Sequence, residues 1–234
     1  MKPKKEQLRQ SLLLERQANF LKLIPGVVHN LCNPLTIIGT RAQLLQMKMP
    51  DTPDFQKIVT QSKNIESILN NLVFIVQNFQ DVRLQSVDVN RLIRNETDFL
   101  TANPHFKHNI IRDIQYYPGN SSVKNSYFHI ATLFHFTILF LIDRLQNSSK
   151  NNLWIICDRT NSAVTIKIRT DMPALADQKQ PIEQQLADPD SETPDICLKN
   201  LSRAALMATE MNIVFTVQIT SEIAEFLMTI PRNE

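Results

Sequence analysis

Two runs of apolar residues, spaced alternately by four and three, constrain this chain more than any other feature. In the first run, Ile24, Val28, Leu31, Leu35, Ile38, Ala42 and Leu45 share one helix face; in the second, Ile58, Ser62, Ile65, Leu69, Leu72, Val76 and Phe79 repeat the alternation. Between them stands Met49-Pro50-Asp51-Thr52-Pro53-Asp54, whose prolines cannot continue a helix. The pattern predicts an antiparallel helical hairpin. A lone hairpin has nothing to cover both stripes, so two copies are expected to pair as a homodimer with a four-helix bundle at its centre.

Beyond Asp81 the periodicity changes. Ser86-Val87-Asp88-Val89-Asn90 offers Asp88 or Ser86 as the N-cap of a helix running to about Ala102, where Asn103-Pro104 ends it. A strand over Asn109 to Gln115 and a turn at Pro118-Gly119-Asn120 come next. From Tyr127 to Gln146 the chain is apolar on nearly every side of a helix. Leu153 to Cys157 and Val164 to Ile168 read as a hairpin, Met172 to Pro194 as a mobile polar loop, and Ile196 to Met211 as a helix. A last hairpin, Ile213 to Ile219 and Ala224 to Ile230, completes an α/β sandwich with helices on one face of a mixed sheet. The expected organisation is residues 1–82 as the hairpin and 83–234 as the sandwich.

Composition excludes several classes of function. With 25 basic and 23 acidic residues the formal charge is +2, which offers no general attraction for nucleic acid or a membrane surface. The longest apolar run, Ala131 to Ile142, contains His135 and is much shorter than the roughly 20 residues that span a bilayer. MKPKKEQLRQ lacks the apolar core of a signal peptide, so the expected location is cytoplasmic. Cys32, Cys157 and Cys197 lie far apart in apolar segments and indicate neither disulfides nor a metal knuckle. His105, His108, His129 and His135 are expected to lack the shared-face spacing and the acidic or thiol companions of a metal site. Only 3 glycines occur, against roughly sixteen at average usage. A glycine-rich phosphate loop is hard to place.

The first helix contains Gly26-Val27-Val28-His29-Asn30-Leu31-Cys32-Asn33-Pro34-Leu35. His29, Asn33, Thr36 and Thr40 follow one another at steps of four, three and four, a polar stripe beside the apolar one. His29 is therefore expected to face solvent, where a ring nitrogen can attack phosphorus. Pro34 is expected to bend the helix and free backbone carbonyls near it.

This segment resembles the H-box of two-component histidine kinases, in which an acidic residue follows the histidine and an Asn-Pro-Leu triplet comes after it. His29, Asn33, Pro34 and Leu35 match; Asn30 replaces the acidic residue and cannot serve as a base. The resemblance extends over almost the whole chain and implies a dimeric phosphotransfer hairpin followed by an ATPase-like α/β sandwich. It implies that His29 is the phosphoacceptor position, that Asn33 is placed to orient water for dephosphorylation, and that Asn30, Thr36, Thr40 and Arg41 face a receiver domain.

The second half departs from the family at its nucleotide motifs. Two asparagines, one of them a magnesium ligand, would stand at Phe136 and Phe140. An adenine-recognising aspartate and two glycines would fall within Arg169-Thr170-Asp171-Met172-Pro173-Ala174-Leu175, where Asp171 is a shifted candidate and Met172 and Ala174 replace the glycines. No glycine remains in Asp195-Ile196-Cys197-Leu198-Lys199-Asn200, before or within the last long helix. The resemblance thus implies that no ATP or magnesium is bound as a cofactor, any Mg2+ being supplied by a receiver-domain partner. The expected function is a histidine phosphotransferase passing a phosphoryl group between receiver aspartates through His29. The alternatives are a non-catalytic pseudokinase that binds a response regulator or a kinase, and an active kinase with a divergent nucleotide site.

Overall fold

The computed structural model describes residues 2–79, 81–145, 152–171 and 173–232. The chain divides into two compact units, Met1–Gln80 and Asp81–Glu234.

The first unit is a helical hairpin. Helix α1 spans Lys2–Lys48 and runs unbroken through Pro25 and Pro34, and α2 spans Pro53–Asn78. Pro34 has no N–H to give the carbonyl of Asn30, so one helical bond is missing beside His29 while the helix continues. Two residues farther on, the Thr36 hydroxyl donates to the Cys32 carbonyl at 2.9 Å. The turn closes with Thr52 N–H donating to Met49 O at 3.2 Å, and Pro53 opens α2 with its fixed φ already helical. Gln46 of α1 donates to Gln56 of α2 at 2.5 Å, pinning the antiparallel register near the turn.

The helices are covered on one side only. Val28 and Ala42 of α1 and Val59, Ser62 and Ile75 of α2 are buried between them. Leu31, Ile38 and Leu45 of the first stripe and Ile58, Ile65 and Phe79 of the second remain 40% exposed or more.

The second unit begins with β1, Gln85–Asp88, which leads into α3, Val89–Leu100. Asp88 is the N-cap, accepting from Arg91 N–H. A short helix α4, Pro104–His108, capped by Asn103, precedes β2, Ile111–Gln115. Strand β3, Ser122–Asn125, pairs antiparallel with β1 in a small separate ladder. β1, β3 and α4, of four or five residues each, were not read from the sequence.

Helix α5, Tyr127–Leu145, is followed by β4, Asn152–Arg159, and β5, Ala163–Thr170. Its expected end at Gln146 lies outside the described residues. Helix α6, Lys179–Ala187, α7, Ile196–Glu210, and strands β6, Val214–Ile219, and β7, Ala224–Pro231, complete the unit. The sheet order is β2-β4-β5-β7-β6, parallel only between β2 and β4. One face alternates strictly into the core: Leu153, Ile155, Cys157, Val164, Ile166, Ile168, Phe226, Met228 and Ile230 are all buried.

The stretch expected as a mobile loop from Met172 to Pro194 is ordered helix in part, a correction to the reading from composition. A 3-10 turn, Pro173–Gln178, leads into α6, and Leu175 and Ile182 are fully buried anchors within it. The buried Gln185 side chain donates to Ser191 O at 3.2 Å and to Ser191 Oγ at 3.1 Å, tying the following turn back onto α6. Two apolar anchors in a polar stretch are enough to hold it once a core exists, which composition averaged over the stretch conceals. Met172 itself lies outside the described residues.

Where α7 meets β6, Asn212 takes φ 53°, the left-handed conformation usually given to glycine. Asn212 N–H donates to Thr209 O at 3.3 Å and Ile213 N–H to Ala208 O at 2.9 Å, so the helix end is satisfied without glycine.

Candidate functional site

On the hairpin, His29 is exposed, and so are Asn33, Thr36 and Thr40 at the following steps of α1. Asn30 and Arg41 are exposed beside them. Val28, immediately before His29, is buried against α2, which fixes the rotation of α1 and turns the next residue outward. The polar stripe is thus a solvent-facing strip on α1, next to an apolar strip that one copy of the chain leaves partly bare.

In the second unit, α5 packs along α7, and their seam has its own chemistry. Phe140 is fully buried and meets Phe226 edge-on, with ring centroids 5.8 Å apart. The Arg144 guanidinium lies 5.7 Å from the Phe140 ring centroid, and the Arg203 guanidinium 5.4 Å from that of Phe136. Arg144 Nη2 donates to Asp195 Oδ2 at 2.5 Å. The other carboxylate oxygen, Oδ1, accepts from Cys197 N–H at 2.8 Å and Leu198 N–H at 3.3 Å, so Asp195 is the N-cap of α7.

The electrostatics follow from this geometry. Burial works against ionisation of Asp195, but the hydrogen bonds from Arg144 and from the Cys197 and Leu198 backbone outweigh it and hold its carboxyl below the ordinary range. Asp143, next along α5, is pushed up, chiefly by burial, and Cys197, whose thiol lies 3.9 Å from Asp143, is also pushed up by burial. Beside α7 is a cavity of about 680 Å³ lined by Asp190, Glu192, Thr193, Lys199, Ser202 and Arg203, among others.

A correction concerns the histidines. His129 and His135 do have acidic companions: His129 Nε2 is 3.6 Å from Glu210, and His135 Nδ1 is 3.5 Å from the buried Glu96. These partners come from other elements, where sequence spacing cannot show them. Among the described residues no three histidine, cysteine or acidic side chains gather as a metal site. Tyr127–Leu145 is the one helix among those residues long and apolar enough to cross a membrane by length and composition, and 61% of its most apolar window is buried inside the unit.

No family model matches the sequence, and no curated protein does. Solved structures do match. Full-length ShkA in complex with AMPPNP resembles this chain over 91% of its residues at 12% identity, with a TM-score of 0.51; the chain spans 46% of that protein. The chain shares the fold of that protein over most of its own length. The histidine kinase AdeS of Acinetobacter baumannii is also similar, over 88% of this chain and 98% of its own, at 13% identity and a TM-score of 0.48. The catalytic domain of the histidine kinase ThkA, in a nucleotide-free form, covers 64% of this chain and 97% of its own, at 15% identity and a TM-score of 0.47.

Within this fold, Phe136 and Phe140 lie on α5 and Asp195 at the start of α7. The sequence alone did not point to Arg144 or Arg203. Sequence reading did not name Asp195 as a cap either, although an aspartate before an apolar-periodic helix is a signal that could have found it. Its pairing with Arg144, 51 residues away, leaves no such signal.

Proposed function

We propose that this chain is a histidine phosphotransferase of a two-component phosphorelay, acting in the cytoplasm as a homodimer and without ATP. The observation that carries the reading is the exposure of His29 on a hairpin stripe with Asn33 one turn on, in a chain whose α5 carries Phe136 and Phe140. Those phenyl rings have no oxygen for magnesium, and each lies beside an arginine. Nucleotide-dependent phosphorylation is therefore not assigned to this chain, and the phosphoryl group must come from a partner.

The chemistry needs little from the chain itself. A ring nitrogen of His29 attacks the phosphorus of a receiver's aspartyl phosphate; the N–P bond forms as the acyl phosphate P–O bond breaks and the aspartate leaves as carboxylate. A second receiver's aspartate reverses the step. Such transfer depends on in-line positioning and on charge neutralisation by the Mg2+ that the receiver brings. Asn30 cannot act as a base, but the attacking ring nitrogen uses a lone pair and loses no proton, and the carboxylate of an acyl phosphate is a good leaving group, so none is required. Asn33, Thr36, Thr40, Asn30 and Arg41 form the docking strip, hydrophilic and edged by apolar residues, as suits transient contacts. Dimerisation covers Leu31, Ile38, Leu45, Ile58, Ile65 and Phe79, which one copy leaves exposed.

The test mixes the full chain with a panel of phosphorylated receiver domains and looks for acid-labile label on it. Label on wild type and none on His29→Gln is the expected result. Full labelling of His29→Gln refutes the reading; a receiver that binds but never labels the wild type makes the chain a non-catalytic regulator.

A further inference from the structure

The edge strand of a sheet turns half of its N–H and C=O groups away from its neighbour, where another chain can pair with them. At one edge of the five-stranded sheet stands β2, which carries Arg112 and Asp113, charges of the kind that discourage a further strand. The opposite edge is β6, Val214-Phe215-Thr216-Val217-Gln218-Ile219, six residues with no charge, proline or glycine.

The turn after β6 fixes which of its groups are free. Thr220 N–H donates to Ile223 O at 2.9 Å, closing the hairpin to β7, so Gln218, Thr216 and Val214, at alternate positions back along the strand, also turn toward β7. Phe215, Val217 and Ile219 therefore turn their N–H and C=O groups outward, and among the described residues no other backbone group meets them. Ile213, next in the outward series, gives its N–H to Ala208 O at 2.9 Å, in keeping with that phase. Side chains alternate as well. Phe215, Val217 and Ile219 lie opposite the buried Met228, Phe226 and Ala224 and share their helix-covered face, whereas Val214, Thr216 and Gln218 are exposed on the open face. Phe140, Phe226 and Phe215 form a row, with successive ring centroids 5.8 Å and 6.4 Å apart, that starts fully buried and ends half-buried at this edge.

We propose that β6 pairs antiparallel with β6 of a second copy of this chain, about a two-fold axis at Val217. In that register Val217 meets its own counterpart, Phe215 meets Ile219 and Thr216 meets Gln218. The N–H and C=O groups of all three outward residues are then satisfied. Apolar side chains meet on the helix-covered face and a hydroxyl meets an amide on the open face. The strand is thus complementary to itself, as a two-fold contact requires, and it holds no charge that its copy would repel. This contact lies wholly within the second unit and owes nothing to the hairpin stripes or to His29. A single strand pair buries less than the roughly 1,000 Å² of a stable complex, so the contact is weak, with a dissociation constant on the order of 100 micromolar.

The experiment is sedimentation of the full chain at about 300 micromolar, where such a contact is mostly formed. Thr216→Lys/Gln218→Lys sets lysine against lysine across the axis, and Thr216→Glu/Gln218→Lys sets glutamate against lysine. Both change the same exposed positions and both place a lysine beside Glu225 of β7, so any effect on folding is shared. Circular dichroism establishes that each is folded. Wild type is expected to have a mean mass about 1.5-fold or more above that of the lysine–lysine variant, and the glutamate–lysine variant is expected to match wild type. Should the lysine–lysine variant fail to fold, Val217→Pro, which removes an outward N–H that β7 does not use, takes its place and is expected to show the same loss of mass. Wild type no heavier than the folded lysine–lysine or Val217→Pro variant overturns the proposal, as does a glutamate–lysine variant as light as the lysine–lysine one.

Discussion

Gly39 of α1 lies against Ser62 of α2, close enough that a Cβ added at Gly39 would stand 3.4 Å from the Ser62 Cβ. This is ordinary contact for one methyl group and no space for more, so a small residue on each side sets how closely the two helices approach. Gly39→Ala should fold, whereas Gly39→Leu should force the helices apart and lower Tm sharply. Gly26 is the control, since nothing lies within 4 Å of its added Cβ. Gly26→Ala should stabilise the hairpin by about 0.8 kcal/mol from helix propensity alone. Thermal unfolding of the three variants checks the set; an unchanged Tm for Gly39→Leu would show that this contact is loose.

Dimerisation is expected to depend on the bare stripe residues. Leu31 and Ile38 are 51% and 53% exposed in a single chain. Replacing both with lysine should leave a monomer, or a chain whose hairpin no longer folds, when measured by light scattering at micromolar concentration. A dimeric double variant would place the interface elsewhere.

Docking and chemistry on α1 should separate. His29→Gln should abolish phosphoryl label while leaving receiver binding and dimerisation nearly intact, since a surface substitution typically shifts stability by about 0.5 kcal/mol or less. Thr40→Glu should weaken receiver binding by placing a charge in the contact strip. Binding titrations of the two variants with one receiver distinguish the roles, and equal loss in both would merge them.

Placing asparagine in α5 should not create nucleotide binding. Phe140 is fully buried against Phe226, so Phe140→Asn loses its packing and buries an amide, at a cost of about 3 kcal/mol or more. Calorimetry on Phe136→Asn/Phe140→Asn with ATP and magnesium should show no binding. Micromolar, magnesium-dependent binding by the wild-type chain would instead revive an active kinase.

Acidification should act through two neighbouring carboxyls with opposite signs. Asp195 is held below the ordinary value of 3.8, so the stability it contributes is complete above that value and is lost as pH falls through its own lower one. Asp143 is raised by burial, so its charge opposes folding at neutral pH and that opposition fades as pH falls through its raised value. Asp143→Asn should therefore raise Tm at pH 7 and have little effect near pH 3. Asp195→Asn should lower Tm at pH 7 and flatten the acid limb of the Tm profile. Opposite signs at pH 7 would reverse both assignments.

Much of this protein was legible in its residues one after another. The four-three spacing of Ile24 to Leu45 and Ile58 to Phe79, broken by Pro50 and Pro53, is a local property, and the hairpin follows from it. The outward position of His29 follows from the same spacing once Val28 faces inward. The β-rich runs Val164 to Ile168 and Ala224 to Ile230 were likewise legible as hairpin strands. What the residues in order could not determine is whatever joins distant positions. The sheet order, the ladder of Val87 with Val123, the anchoring of Ile182 in a polar stretch, the carboxylate partners of His129 and His135, and the pairing of Arg144 with Asp195 all exist only when the core brings separate elements together. Periodicity records which face of an element is apolar, whereas burial, charge pairing and the filling of a helix end depend on the neighbour across the seam, and only the tertiary structure supplies that neighbour.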